Sequence, residues 1–193
     1  MDDFTFDNGR PGSTGDEWDC TPPQDRPHLL IALFPDGDTR RAIEKHREDW
    51  LWPAGRRFPP GAHLHLTLHS LPDLSADDTM HLRTALSKVR MEPLDLVLDS
   101  SCTWRNDISV VLPAEHEKLR TLRSDIAGAL RRVGFETDRK KWTPHITIAR
   151  KTAQAARPQH LAPIRWTSTN FTLVRTHPSP PAWHEVLTSY RAG

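Results

Sequence analysis

The sequence predicts a mixed α/β (α+β) protein: one domain, single or made of two similar lobes, behind an acidic tail. Three observations predict it. The pattern His-x-Thr-x occurs as His65-Leu66-Thr67-Leu68 and again, 80 residues later, as His145-Ile146-Thr147-Ile148. Each copy lies in a run that alternates apolar with polar, the signature of a half-buried strand, and each follows a helical pattern. Composition changes near residue 27, and no linker of suitable composition divides the chain after that point.

The tail comprises residues 1–26, rich in Gly, Pro, Asp and Ser with few aliphatics. Such a segment buries too little apolar surface to order itself. Residues 1–25 hold seven acidic residues against Arg10, a net charge of −6, which leaves +7 for the remainder of a chain whose total is +1. A modestly basic body suits an anionic substrate. The first ten residues, MDDFTFDNGR, lack a basic-then-apolar signal pattern, and no apolar run approaches the roughly 20 residues needed to span a bilayer. The expected location is therefore the cytoplasm, with no membrane. Cys20 and Cys102 are too few for a disulfide framework and fit no zinc spacing.

The elements follow in order along residues 27–193. His28 to Phe34 reads as a strand, stopped by the turn signal Pro35-Asp36-Gly37. Asp38 is the expected N-cap of a helix from Thr39 to Trp50. Pro53 to Gly61 is loop, and His63 to His69 is the first motif strand. Ser75 caps a helix to about Val89, and strands follow at Leu94–Asp99 and Ile108–Leu112. Glu115 to Val133 is the clearest helix, with Leu119, Leu122, Ile126, Ala129, Leu130 and Val133 at helical spacing and Gly134 as its stop. His145 to Arg150 is the second motif strand. Residues 151–165 read as loop, and Phe171–Arg175 and Trp183–Thr188 as closing strands. The order is βαβα, then ββαβ, then ββ.

On the first motif strand, period two puts His63, His65, Thr67 and His69 on one face and Leu64, Leu66 and Leu68 on the other. On the second, His145, Thr147 and Ala149 share a face. A solvent-facing strand of an antiparallel sheet also alternates. Two copies in the same context favour a site. Two facing strands of this kind present two imidazoles and two hydroxyls, the minimum set for acid–base attack on a phosphodiester. One group must take a proton from the attacking oxygen and another must give one to the leaving oxygen, and histidine suits both near neutral pH. Each threonine can donate to a nonbridging oxygen. Arg150 and the run Arg139-Lys140-Lys141 are the candidate cations, and Trp142 is a candidate base-stacking ring. Trp104 reads as a core or rim ring.

Together, Leu64 to Leu68, Pro144 to Arg150 and the closing Phe171-Thr172-Leu173-Val174-Arg175 resemble the two-histidine phosphoesterase superfamily, and within it the RNA 2′,3′-cyclic phosphodiesterases, also called 2′-5′ RNA ligases. The resemblance covers about residues 27–190. It implies a bilobal pseudo-twofold fold, with two antiparallel sheets lining a central cleft and helices outside. It implies cofactor-free, metal-independent hydrolysis of an RNA or nucleotide 2′,3′-cyclic phosphate to the 2′-phosphomonoester, with ATP-independent 2′-5′ ligation as the reverse use of the same site. His65 matches the proton donor and His145 the base. Thr67 and Thr147 match the phosphate holders, Arg150 and Lys140 the basic positions, and Trp142 the aromatic one. The protein is expected to be a monomer, with no stable protein partner evident in the sequence. The chain departs from the family at His69-Ser70-Leu71-Pro72-Asp73, where a Phe-Leu-Gly-type turn is usual, in the first strand, which lacks an aromatic, and at His184, where tyrosine is frequent.

Other readings stay open on the residues. A divergent member could act on another nucleotide conjugate, or the fold could serve as a non-catalytic RNA- or nucleotide-binding module. His63, His65 and His69 on one face could offer imidazoles to a metal, although that leaves the threonines unexplained.

Overall fold

The computed structural model describes residues 26–137, 141–178 and 182–193. The expected acidic tail therefore lies outside the described residues, apart from Arg26. Among the described residues, eight strands and three α-helices follow one another. They are β1 (His28–Leu33), α1 (Gly37–Glu48), β2 (Leu66–Pro72), α2 (Ala76–Leu86), β3 (Leu94–Thr103), β4 (Ile108–Pro113), α3 (Glu117–Arg132), β5 (Ile146–Arg150), β6 (Ile164–Ser168), β7 (Asn170–His177) and β8 (Trp183–Arg191). The strand order is β6-β3-β4-β5-β2-β1-β7-β8, with every pairing antiparallel.

That order reads the same from either end as two four-stranded halves. β2-β1-β7-β8 forms one and β5-β4-β3-β6 the other. They meet at a single pair, Leu66 with Ile146, the second residue of each motif. The two expected antiparallel sheets join at this pair into one curled sheet. The 80-residue displacement of the motifs extends to their surroundings: β1 and β4 begin at 28 and 108, α1 and α3 at 37 and 117, β2 and β5 at 66 and 146.

Helices lock the halves by crossing over. α1, from the first half, packs on β6 of the second, where Thr39 Oγ1 donates to the Arg165 carbonyl at 3.5 Å. α3, from the second half, packs on β2 of the first, with Arg123 Nε donating to the Leu68 carbonyl at 3.3 Å. α3 buries Leu119, Leu122, Ile126 and Leu130 at the predicted spacing, each contributing about 1.5–3 kcal/mol. These side chains join Leu29, Ile31, Leu66, Ile146, Ile148, Trp166 and Phe171 in the core.

Three local expectations are corrected. The N-cap of α1 is Asp36, whose carboxylate accepts from the Thr39 amide at 2.8 Å; Asp38 lies inside the first turn. β6 begins in a stretch that reads as loop, yet Ile164, Trp166 and Ser168 are buried while Arg165 and Thr167 are exposed, a period-two pattern in a five-residue strand. It is one strand more than the predicted closing pair. His69 does not share the face of His65. Between Ile31 and Ala32 the β1–β2 register slips, so that Ile31 faces His69 and Ala32 faces Thr67, leaving Leu68 as an extra residue. A bulge of this kind reverses the alternation beyond it. His69 turns towards α3, where its Nε2 donates to the Arg123 carbonyl at 3.0 Å.

Candidate active site

The bulge recurs at the second motif. Ser109 faces Ala149 and Val110 faces Thr147, which leaves Ile148 extra. Both bulges fall on the fourth residue of His-x-Thr-x. Bulges bend a strand and raise its twist, so each motif bends at the same point, next to the Leu66–Ile146 junction. That antiparallel pair sets the two motifs side by side, with His65 and Thr67 flanking it on one chain segment and His145 and Thr147 on the other. The four predicted residues are brought together in this way.

Both histidines are held by one device. His65 Nδ1 donates to the His63 carbonyl at 2.7 Å, and His145 Nδ1 to the Thr143 carbonyl at 2.8 Å. A carbonyl only accepts, so Nδ1 carries the hydrogen in each ring. The neutral imidazole then presents Nε2 as a bare acceptor, and the protonated ring presents it as a donor.

Their surroundings differ. His65 packs edge-on against His184, with centroids 5.3 Å apart, and 5.6 Å from Phe34; His184 stacks in turn on His63 at 4.6 Å. His145 meets Trp104 edge-on at 4.5 Å. Burial first, and then the charges of His145, Arg150 and His63, push the His65 imidazole down to about 4 against the support of the His63 carbonyl. His145 is lowered by burial and by Arg150, against its bond to Thr143. His184 is pushed down to about 3, chiefly by burial and then by the charges of His65, His63 and His28. The mutual effects place these rings within one another's electric field.

Arg150 is exposed at the end of β5, and its charge acts on both motif histidines. Its backbone pairs in both directions with Arg57, at 2.9 Å each way. Trp142 is partly buried. Its Nε1 donates to the Thr67 carbonyl at 3.1 Å, and the Arg123 guanidinium lies 4.8 Å over its ring. This tryptophan braces one motif against the other, with a guanidinium over its ring. Lys140, with Arg139, lies outside the described residues. The set His63, His65 and His69 is not assembled, because the bulge turns His69 away.

Sequence reasoning missed Trp104, Phe34 and His184 as neighbours of the motif rings. Trp104 reads in the sequence as core or rim, yet it meets His145 from the turn after β3. His184 stands out in the sequence as an unusual histidine in a closing strand, and that is the available signal. Its Nδ1 is buried and lacks a hydrogen-bond partner.

The family model of the 2′-5′ RNA ligase superfamily matches residues 34–180. No curated protein sequence matches the chain. Among solved structures, Escherichia coli LigT complexed with 3′-AMP superposes with a TM-score of 0.77 at 22% identity, covering 86% of this chain and 99% of its own. A protein of Thermus thermophilus, TT0787, gives 0.69 at 22%, covering 85% and 97%. The MHV ns2 PDE domain gives 0.53 at 17%, covering 78% and 99%. At these identities the likeness establishes the fold.

Proposed function

The chain belongs to the 2′-5′ RNA ligase superfamily, and from that premise we propose that it hydrolyses the 2′,3′-cyclic phosphate of RNA or of a nucleotide to the 2′-phosphomonoester by metal-independent paired-histidine catalysis. The observation that carries the reading is the matched pair of Nδ1–carbonyl bonds, which leave the Nε2 of each ring for proton transfer. One imidazole removes the proton from water as its oxygen bonds to phosphorus. The other protonates the 3′ oxygen as the P–O3′ bond breaks. Thr67 and Thr147 hold the nonbridging oxygens, and Arg150 offsets the developing negative charge. With a ribose 5′-hydroxyl in place of water, the same groups form a 2′-5′ linkage without ATP.

The family resemblance makes His65 the acid and His145 the base. The spacing alone permits either order, and in the free protein both imidazoles are held below the usual histidine value, chiefly by burial. An aryl phosphodiester separates the two readings, because its leaving group needs no proton. The variant that lacks the acid is rescued by it, and the variant that lacks the base is not.

No helix among the described residues is long and apolar enough to cross a membrane. The test is hydrolysis of 2′,3′-cyclic nucleotides with EDTA present, resolving 2′- from 3′-phosphate. Formation of 2′-phosphate, abolished by His65→Ala and by His145→Ala, is expected. Turnover that survives both substitutions, or that stops with EDTA, overturns the reading.

A further inference from the structure

Between α1 and the first motif the chain builds a second, separate arrangement of flat rings and cations. Trp50 is buried, and its Nε1 donates to His46 Nε2 at 3.0 Å. Trp52 stacks on it with centroids 4.7 Å apart and planes 5° from parallel, its own Nε1 donating to the Arg47 carbonyl at 2.7 Å. Both indoles are therefore fixed by their polar edge as well as by contact. Phe58 stands edge-on against Trp52 at 5.2 Å and is 42% exposed. Guanidinium groups of Arg47 and Arg56 lie 5.4 and 5.6 Å from its centroid.

Arg47 sharpens the point. It is only 8% exposed, and its Nε and Nη2 are buried without a hydrogen-bond partner. Burial lowers its affinity for its proton and the nearby Glu44 raises it. Unused donors on a buried cation are costly unless an acceptor arrives. Arg56 is exposed and lies over the ring, a planar cation standing where a base could stack.

The arrangement adjoins the cleft. Arg57, between Arg56 and Phe58, is the residue whose backbone pairs with Arg150. Leu51 pairs in the same way with Ala156, at 3.0 Å in each direction, so both ends of the segment are tied to β5 and the loop after it. Alternating rings and cations that start beside a phosphodiester site match the alternating bases and phosphates of a single strand.

We propose that the Arg56-Arg57-Phe58 platform, backed by Arg47 and Trp52, binds the nucleotide that precedes the cyclic phosphate, so that the substrate is the 3′ end of a single-stranded RNA rather than a free mononucleotide. This rests on the reading of His65 and His145 given above. In this mode the terminal cyclic nucleotide lies at His65 and His145, and the nucleotide before it lies on Phe58.

The experiment compares kcat/KM for a 2′,3′-cyclic mononucleotide with that for a trinucleotide ending in the same cyclic nucleotide, in the full chain and in Phe58→Ala and Phe58→Tyr. The trinucleotide is preferred by the unaltered chain. Loss of one base–aromatic stack, about 1–3 kcal/mol, lowers the trinucleotide-to-mononucleotide ratio about 5- to 150-fold in Phe58→Ala. Phe58→Tyr, which keeps the ring, retains the ratio. An unchanged ratio in Phe58→Ala overturns the platform. If neither substrate is turned over, the catalytic reading fails separately. Fluorescence anisotropy with a labelled trinucleotide 3′-phosphate then decides the platform by itself. Weaker binding by Phe58→Ala supports it, and equal binding overturns it.

Discussion

The two halves of the cleft use one backbone device and two different linings. In each, a bulge after the threonine bends the strand, and a carbonyl two residues upstream fixes the histidine tautomer. In the first half His65 shares its pocket with Phe34, His63 and His184. In the second, His145 has the Trp104 edge. The lesson is that backbone symmetry makes the two imidazoles interchangeable in geometry, while the side chains around them set the proton affinities. In the proposed mechanism the pair holds one proton between its members, and that asymmetry serves it.

The largest expected effect tests whether both halves are needed. His65→Ala and His145→Ala each lower kcat by about 10²–10⁴, the usual contribution of a positioned acid or base, with unchanged circular dichroism. A variant retaining full activity would break the pairing outright. Next come the hydroxyls. Thr67→Val and Thr147→Val each remove a donor to phosphate at a cost of about 1.5–3 kcal/mol, a 10- to 150-fold loss in kcat/KM. A loss at one threonine only would show that the phosphate leans on a single half.

The pH profile comes third. Both imidazoles are depressed, so in the free protein the pair is mostly neutral at pH 7, and the reaction needs one proton on it. Acidification supplies that proton. kcat/KM therefore rises as pH falls from 8 to about 6 and declines once both rings are protonated. A plateau across that range would place the proton elsewhere. The smallest effect concerns stability. His184 has a native value near 3 against 6.5 in the unfolded chain, so the unfolded state binds the proton first. Its contribution is fully present above pH 6.5 and is lost as pH falls towards 3. His184→Phe keeps a ring in contact with His63 and removes that loss. Thermal melts of variant and parent should diverge by several degrees between pH 7.5 and pH 4.5, the variant being the more stable in acid. Parallel curves would show that His184 is not held neutral.

Much of the site was legible in the chain because the repeat is covalent. Period two and the repeated His-x-Thr-x named His65, Thr67, His145 and Thr147, and α3 was written in its apolar spacing. β6 was hidden in an alternation only five residues long, beside Pro163 in a loop-like stretch. The face of His69 was unreadable because a bulge forms between two strands and belongs to neither sequence alone.

Residue order by itself determined which groups are present, which strands carry them and the spacing that makes the two halves alike, since propensity and periodicity act over a few neighbouring residues. Tertiary structure alone decided what stands against each histidine. His184 and Trp104 reach the motif rings from distant strands and turns, and Arg57 reaches Arg150 across 93 residues of chain. Burial and charge depend on those contacts, so proton affinity is set by packing that no local stretch of sequence contains.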